Sequence, residues 1–243
     1  MKSFYYIFII YFCILYLIIK MCYYYSLAED AIKLQKRFNA EILEKEKYNS
    51  FIKISAFEEK ELPVIIKDRS NVIKFFRWGL IPSWIDSEHT GKKMHARTAN
   101  ARSETIFDRK SFKNIIFSQR CIIPATGFYE WQHLWNENIP YLLKLKDEEL
   151  FGLGGVWDQW VNPETGEIIN TFSIITTVAN SLLEVIHNTK KRMPIIIDKN
   201  DEDMWFDNTL GASQIKSMLE SYPAEKMEAI RLDQNEEELY LPF

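Results

Sequence analysis

A glutamate set among aromatic residues is the first feature of the sequence that could do chemistry. It lies in the stretch from Cys121 to Trp131, which ends in Phe128-Tyr129-Glu130-Trp131. Because side chains alternate across a strand, Glu130 shares one face with Phe128, while Tyr129 and Trp131 share the other. A carboxyl group in such surroundings either reaches water at a sheet edge or is partly desolvated, and desolvation raises the pKa of a carboxyl group. Glu130 is therefore either an ordinary surface residue or a proton donor that works near neutral pH.

The cysteines and histidines show no metal-binding pattern. Three cysteines without a Cys-x-x-Cys spacing indicate a reducing environment rather than a disulfide framework. The four histidines, at positions 89, 95, 133 and 187, lack ligand spacing with the cysteines or with one another. We therefore expect neither a metal nor a cofactor.

Charge is unevenly distributed along the chain. The formal net charge is −4, which by itself argues against a generic nucleic-acid-binding protein. Residues 92–120 nevertheless contain eight lysines and arginines against two acidic residues, and Lys190-Lys191-Arg192 form a second basic cluster. Such a band is either a solvated charged surface or a surface for phosphate groups.

The first twenty residues differ from the rest of the chain. Residues 4–19 are uncharged and largely apolar, but a membrane span usually needs about 18–20 such residues. No small-residue cleavage site precedes Met21. This leader is a signal peptide, a membrane tether or an upstream extension of a protein whose translation begins at Met21. We favour the last alternative, with residues 1–20 as an apolar leader and residues 21–243 as one domain.

The order of predicted elements favours an α+β fold. Strands are predicted at 64–66, 72–78, 121–123, 127–132, 141–145, 150–157 and 171–177. Helices are predicted at about 103–117, 181–186, 201–206 and 212–221, and a capping box at Ser26-Leu-Ala-Glu29 predicts a first helix that ends near Asn39. Residues 89–100 indicate a polar surface loop, and residues 50–66 a loop leading into the first strand. At 243 residues with 47% hydrophobic and 26% charged residues, we expect one domain with a mostly antiparallel or mixed sheet and flanking helices.

A set of short motifs resembles the SOS-response-associated peptidase (SRAP) family. The motifs are Met21-Cys22, Arg77-Trp-Gly-Leu-Ile-Pro-Ser-Trp84, Asn100-Ala-Arg102, Gly127-Phe-Tyr-Glu-Trp131, and His187 followed by Arg192-Met-Pro194. Each motif is weak alone, but their order and spacing are specific, and the resemblance runs from Met21 to about residue 206. It implies a DNA-repair protein that senses abasic sites in single-stranded DNA and attaches to them covalently.

The resemblance also implies a role for the cysteine that removal of Met21 would expose. Cys22 would then present a free α-amine and a thiol on adjacent carbons. The amine, with an ordinary pKa of about 7.7–8.0, can form a Schiff base with the aldehyde of an opened abasic sugar. The thiol can then close a five-membered thiazolidine ring, helped by the high effective concentration of a tethered nucleophile. Residues 1–20 would lock this amine in a peptide bond, which is why we favour Met21 as the start.

The same resemblance implies the remaining site residues. Glu130 and His187 would carry protons, and Asn100 would orient the cysteine and the sugar. DNA contacts through phosphate binding or base stacking are expected from Arg77, Trp84, Arg102, Trp131, Thr176, Lys190 and Arg192. The sequence departs from the family pattern at Tyr24, where most members have an arginine.

Two other functions stay open at this point. A cysteine peptidase would use Cys22 and His187 with Glu130 or Asn100, and it would need a thiolate but no free amine. A membrane-tethered protein would keep residues 1–20 and leave Cys22 inert. The family's name would also suit a protein that removes the residues ahead of Cys22 by itself, and a lyase reaction at the abasic site is a further expectation. We expect a monomer that acts on DNA in the cytoplasm, at the nucleoid.

Overall fold

The computed structural model describes residues 23–232, so the predicted leader, Met21 and Cys22 lie outside the described residues. Within this range the chain forms fourteen β-strands and five α-helices. The strands are β1 Tyr24–Leu27, β2 Glu41–Ile42, β3 Phe51–Ser55, β4 Glu61–Lys67, β5 Asn71–Trp78, β6 Asn100–Arg102, β7 Arg120–Ala125, β8 Gly127–His133, β9 Asn138–Leu145, β10 Phe151–Val161, β11 Ile168–Val178, β12 Arg192–Pro194, β13 Ile196–Ile197 and β14 Met227–Arg231. The helices are α1 Ala31–Phe38, α2 Glu88–His95, α3 Ser181–Ile186, α4 Glu202–Trp205 and α5 Ala212–Ser217. The prediction of an α+β fold is confirmed. Among residues 23–232, no helix has the length and apolar character that crossing a membrane would require.

A closed ring of strands forms the centre of the fold. The larger sheet has the order β12–β11–β10–β7–β4–β5–β2, and β5 also pairs in parallel with β11. Strands β11, β10, β7, β4 and β5 therefore close on themselves. Gly155 of β10 permits the close approach of the strands, because a Cβ atom there would lie 2.7 Å from the carbonyl oxygen of Ser173. Most pairs are antiparallel and three are parallel, β2–β5, β5–β11 and β6–β11, so the predicted mixed sheet is confirmed.

A second, antiparallel sheet packs against this ring. Its strand order is β14–β9–β8–β1–β3. Tyr25, Phe128 and Leu143 from this sheet belong to the same hydrophobic cluster as Ile65 and Phe172 of the ring. One continuous core therefore joins both sheets. Glu130 lies on β8, the strand that contributes Phe128 to this core.

The first helix begins later than the sequence predicted. Ser26 lies in β1, where it pairs with Gly127 of β8. Helix α1 follows, with Asp30 as its N-cap, and the Asp30 carboxylate accepts hydrogen bonds from the backbone N–H groups of Ile32 and Lys33 at 2.8 and 2.9 Å. The capping-box prediction was wrong because the pairing of β1 with two strands outweighs a local helix preference.

Two other predictions, both for the part of the chain between β5 and β7, were also wrong. The stretch predicted as a polar loop contains α2, whose N-cap is Ser87. Residues 103–117, predicted to be helical, form successive turns that end in a single 3₁₀ turn at Ile115–Phe117. Ile106 and Ile116 are buried there. The apolar residues whose spacing suggested a helix are therefore buried by a series of turns instead.

Arg120 is a buried arginine that joins the ring to the segment around α4. Its guanidinium group donates hydrogen bonds to the carbonyl oxygens of Ile116, Trp205 and Asp207, each at 2.6 Å. An Arg120→Ala variant would leave these carbonyls without partners, so we expect the free energy of unfolding to fall by about 3 kcal/mol or more. Urea denaturation measures this, with the exposed Arg69→Ala as the matched control, expected to change by less than about 0.5 kcal/mol. Equal stability of the two variants would contradict the role of Arg120.

Candidate active site

Glu130 is a buried carboxylate on β8. It pairs in register with Tyr141 of β9, and it is only 3% exposed. Phe128, on the same face of the strand, is buried as well. The sequence left open whether Glu130 points to solvent or is desolvated, and the structure shows the desolvated arrangement.

His187 follows α3 and lies against Glu130. Asn180 fixes the start of this helix by accepting a hydrogen bond from the backbone N–H of Leu183 at 2.9 Å, and His187 is the C-cap residue at the other end. The imidazole is 2% exposed, and its Nδ1 lies 3.5 Å from Oε2 of Glu130. The same nitrogen lies 2.9 Å from the carbonyl oxygen of Arg192. The structure thus brings together two of the predicted catalytic residues.

The contacts of Nδ1 determine the tautomer of His187. A carbonyl oxygen only accepts hydrogen bonds, so Nδ1 carries the proton that it donates to Arg192. The neutral ring therefore has its lone pair on Nε2, which can accept and return a proton. Glu130 lies on the Nδ1 side of the ring, where its carboxylate stabilises the positive charge that forms when Nε2 is protonated. The pair has the arrangement of a proton-transfer site.

Asn100 and Arg102 lie on β6, which runs parallel to the final part of β11. Asn100 pairs with Ile174, and Arg102 pairs with Thr176. Asn100 is buried, whereas Arg102 is exposed. Thr176 also pairs with Pro194 of β12 on its other side. The end of β11 therefore lies between β6, which contains Asn100, and β12, which follows His187 in sequence.

Arg192, predicted as a DNA contact, is largely buried, and its guanidinium group binds other parts of the protein. Nη2 donates to the carbonyl oxygen of Thr176 at 2.6 Å, and Nη1 and Nη2 together bind the Glu104 carboxylate. Partial burial alone would raise the pKa of Glu104, but hydrogen bonds from Arg192 and from its own backbone lower that pKa below its usual value. Thr176, also predicted as a DNA contact, is fully buried. The ion pair therefore holds in place the backbone carbonyl that orients His187.

An Arg192→Lys variant is expected to weaken the site while it keeps the charge. An ammonium group cannot bind both Glu104 oxygens and the Thr176 carbonyl as a planar fork does. We expect the free energy of unfolding to fall by about 1–3 kcal/mol, and the imidazole NMR signals of His187 to shift because its hydrogen-bond acceptor moves. The exposed Lys191→Arg is the control and should change neither measurement. An unshifted His187 in Arg192→Lys would contradict this positioning role.

Other predicted DNA contacts lie at the surface. Trp84 is 45% exposed, and Nζ of Lys110 lies 3.7 Å from the centroid of its ring. Arg77 on β5 forms an ion pair with Glu167 at 3.2 Å. Lys190 is exposed in the loop after His187. These side chains are accessible to a ligand from solvent, in contrast to Thr176 and Arg192.

Lys53 is a candidate site residue that the sequence analysis missed. Its Nζ lies 5.1 Å from the ring centroids of Tyr24 and Trp131 and 5.2 Å from that of Tyr129. The partly exposed Trp131 also packs edge-on against Tyr24. The alternating pattern of residues 51–55 could have revealed a strand there, but the stretch was assigned to a loop. A cation is therefore present beside Tyr24, the position at which the resemblance led us to expect an arginine.

No group of three or more histidine, cysteine or acidic side chains arranged to hold a metal ion occurs between residues 23 and 232. Cys121 is the free cysteine of this range, and burial raises the pKa of its thiol well above the usual value.

Comparison with known proteins identifies the relatives of this chain. The family model described as SOS response associated peptidase (SRAP) matches residues 21–236. The abasic site processing protein YoqW of Bacillus subtilis (strain 168) is 35% identical over 215 residues, which cover 87% of this chain and 92% of that protein. The abasic site processing protein HMCES of Gallus gallus is 34% identical over 156 residues, which cover 56% of this chain and 45% of that protein. A crystal structure of a protein from Bacteroides thetaiotaomicron has a TM-score of 0.84 at 36% identity, covering 88% of this chain and 93% of that one.

Fold and site together define the class of protein: an α+β domain with a closed ring of strands and a buried carboxylate–imidazole pair beside it. The family match spans most of the chain, and YoqW is 35% identical to it over 215 aligned residues. The chain belongs to the SOS response associated peptidase (SRAP) family. The resemblance inferred from the short sequence motifs is thereby confirmed.

Proposed function

We propose that this protein processes abasic sites in single-stranded DNA by attaching to them covalently through Cys22. Removal of Met21 would expose the α-amine and the thiol of this residue. Curated relatives are named abasic site processing proteins, and this chain has their family's domain over residues 21–236. The observation that carries the proposal is the buried Glu130–His187 pair, with 3.5 Å between Oε2 and Nδ1.

The direction of β1 supports a reaction beside this pair. Strand β1 is antiparallel to β8, and Tyr25 pairs with Phe128. Moving two residues back from Tyr25 reaches Tyr23, while moving two residues forward from Phe128 reaches Glu130. Continuing this register places Tyr23 opposite Glu130, so the described chain begins beside the buried carboxylate. The proposed reaction needs this arrangement, because Cys22 immediately precedes Tyr23 in sequence.

The proposed reaction has two bond-forming steps. The α-amine of Cys22 adds to the aldehyde of the opened abasic sugar, and loss of one water gives an imine. The thiol then adds to the imine carbon: a carbon–sulfur bond forms, and the thiol proton ends on the nitrogen of the thiazolidine ring. The second step is intramolecular, so it benefits from a high effective concentration of the nucleophile. No oxidant, reductant or metal is needed.

Glu130 and His187 would move the protons of these steps. Opening the sugar and expelling water each need a proton donor and an acceptor. Nε2 of His187 can do both, because its Nδ1 proton is held by the Arg192 carbonyl and Glu130 stabilises the protonated ring. Asn100, buried on β6, would orient the sugar by hydrogen bonds.

Exposed cations and aromatic rings would hold the DNA strand. Arg102 and Lys190 are exposed and would bind phosphates, and Arg77 and Lys53 add positive charge. Trp84 would stack on a base, with the Lys110 ammonium group 3.7 Å above its ring. A protein that binds DNA in this way would act at the nucleoid.

The proposal is tested with two oligonucleotides that differ only at one sugar. One carries a single abasic site, and the other carries a tetrahydrofuran at that position, which lacks the aldehyde. Protein produced from Met21 onward is incubated with each and separated on a denaturing gel. We expect a stable adduct with the abasic oligonucleotide alone. No adduct, or equal adducts with both, would contradict the proposal.

A further inference from the structure

The turn between β8 and β9 exposes an aromatic side chain that the proposed chemistry does not use. Trp135 is 99% exposed, and its neighbour Leu134 is 47% exposed. A tryptophan side chain is largely buried in most folds, so one that lies almost entirely in water is informative. The turn is well formed, since the backbone N–H of Leu134 donates to the carbonyl oxygen of Glu137 at 2.9 Å.

Hydrogen bonds fasten this turn to the loop that follows His187. The backbone N–H of His133 donates to Oδ1 of Asn188 at 3.1 Å, and Nδ2 of Asn188 donates back to the carbonyl oxygen of His133 at 2.8 Å. Nε2 of Gln132 also donates to the carbonyl oxygen of Val185 at 3.3 Å. The turn is thus held in a fixed position relative to the proton-transfer site.

The position of Trp135 is set by the strand that leads to it. Trp135 lies five residues beyond Glu130 in sequence, two of them in the turn after β8, so a rise of about 3.3 Å per residue gives at most roughly 16 Å. Stacked nucleotides of one strand are about 3.4 Å apart. A DNA strand that leaves the site along β8 would therefore reach Trp135 after a few nucleotides.

We propose that Trp135 stacks on a nucleobase of the DNA strand that flanks the abasic nucleotide, and so contributes to the affinity for single-stranded DNA. Lys190 and Lys191 follow Asn188 closely in sequence and are exposed, so the loop that is fastened to this turn also carries positive charge for the adjoining phosphates. An aromatic platform combined with cations is the usual means of binding single-stranded DNA. This inference rests on the proposed function of the Glu130–His187 site.

The surroundings of Trp135 fit a base better than a protein partner. Asn136, Glu137 and Asn138, which follow it, are exposed polar residues, and Leu134 is the apolar side chain next to it in sequence. A stable protein interface usually buries about 800 Å² on each partner, far more than one ring and one leucine provide. A single planar ring in a polar rim matches the size and shape of one nucleobase.

Binding to tetrahydrofuran-containing single strands tests this inference without the covalent step. We expect Trp135→Ala to weaken the affinity about tenfold and Trp135→Phe to restore most of it, because the phenyl ring still stacks. The effect of Trp135→Ala should vanish once fewer than roughly five nucleotides remain on one side of the lesion. Ile32→Ala, which removes an exposed apolar side chain from α1, is the matched control and should not change the affinity.

The outcomes separate this inference from the proposed function. Failure of the unaltered protein to form an adduct with abasic DNA would overturn the proposed function. Normal adduct formation with equal affinities of Trp135→Ala and the unaltered protein for every strand length would overturn the stacking role alone.

Discussion

Replacing Cys22 with alanine is expected to abolish the stable adduct with abasic DNA. The variant keeps the α-amine, so it can still form a reversible imine with the aldehyde, but it has no thiol to close the ring. We expect the yield of heat-stable adduct to fall by at least about a hundredfold, given the large effective concentration of a tethered nucleophile. A denaturing gel measures the yield after heating.

Two controls make this result specific. A hydride reductant should trap the imine of Cys22→Ala and restore a permanent adduct, which shows that the variant is folded and binds the sugar. Cys121→Ala removes a fully buried thiol and should leave adduct formation unchanged. A protein that retains residues 1–20 should form no adduct, because its Cys22 amine lies within a peptide bond. Unchanged adduct formation by Cys22→Ala would contradict the account.

Replacing Glu130 with glutamine is expected to slow adduct formation by about 10²–10⁴-fold, the usual contribution of a positioned acid or base. Glutamine keeps the size of the side chain, but it can neither exchange a proton nor stabilise the protonated His187 ring with a negative charge. The rate is measured from samples quenched over time at a fixed pH. Glu220→Gln, which changes an exposed carboxylate after α5, is the matched control, and its rate should remain unchanged.

The contact between Glu130 and His187 gives this prediction a second readout. Residues that act as one unit show non-additive effects when both are changed. A Glu130→Gln, His187→Gln double variant should therefore be about as slow as the slower single variant. Fully multiplicative losses would indicate that the two residues act independently, and a rate of Glu130→Gln within about twofold of the unaltered protein would contradict its role as a proton carrier.

The later part of the fold could be predicted because turn residues mark the ends of its strands. The turn residues Asn162-Pro-Glu-Thr-Gly166 lie between the two predicted strands that correspond to β10 and β11, and Gly166 has the positive φ of 75° that such turns favour. Asn180 likewise marks the start of α3. The beginning of the chain was harder, because Ser26 resembles a helix cap locally but pairs with Gly127, a residue far away in sequence.

The sequence allowed us to predict which residues form the candidate site, but not all the contacts that these residues make. Alternation along β8 placed Glu130 among apolar neighbours, and family motifs pointed to His187. The bond between Arg192 and Glu104 joins residues 88 positions apart, and no local pattern shows such a contact. Arg192 was therefore predicted as a DNA contact, although its guanidinium group lies in an internal ion pair.

The most direct test of the account is mass spectrometry of the crosslinked peptide after digestion of the protein–DNA adduct. We expect that the peptide begins at Cys22 and that its mass equals peptide plus sugar fragment minus one water. Neither its α-amine nor its Cys22 thiol should react with labelling reagents. A crosslink at a lysine or at an internal residue, or a Cys22 thiol that still takes the label, would contradict covalent attachment through a thiazolidine ring.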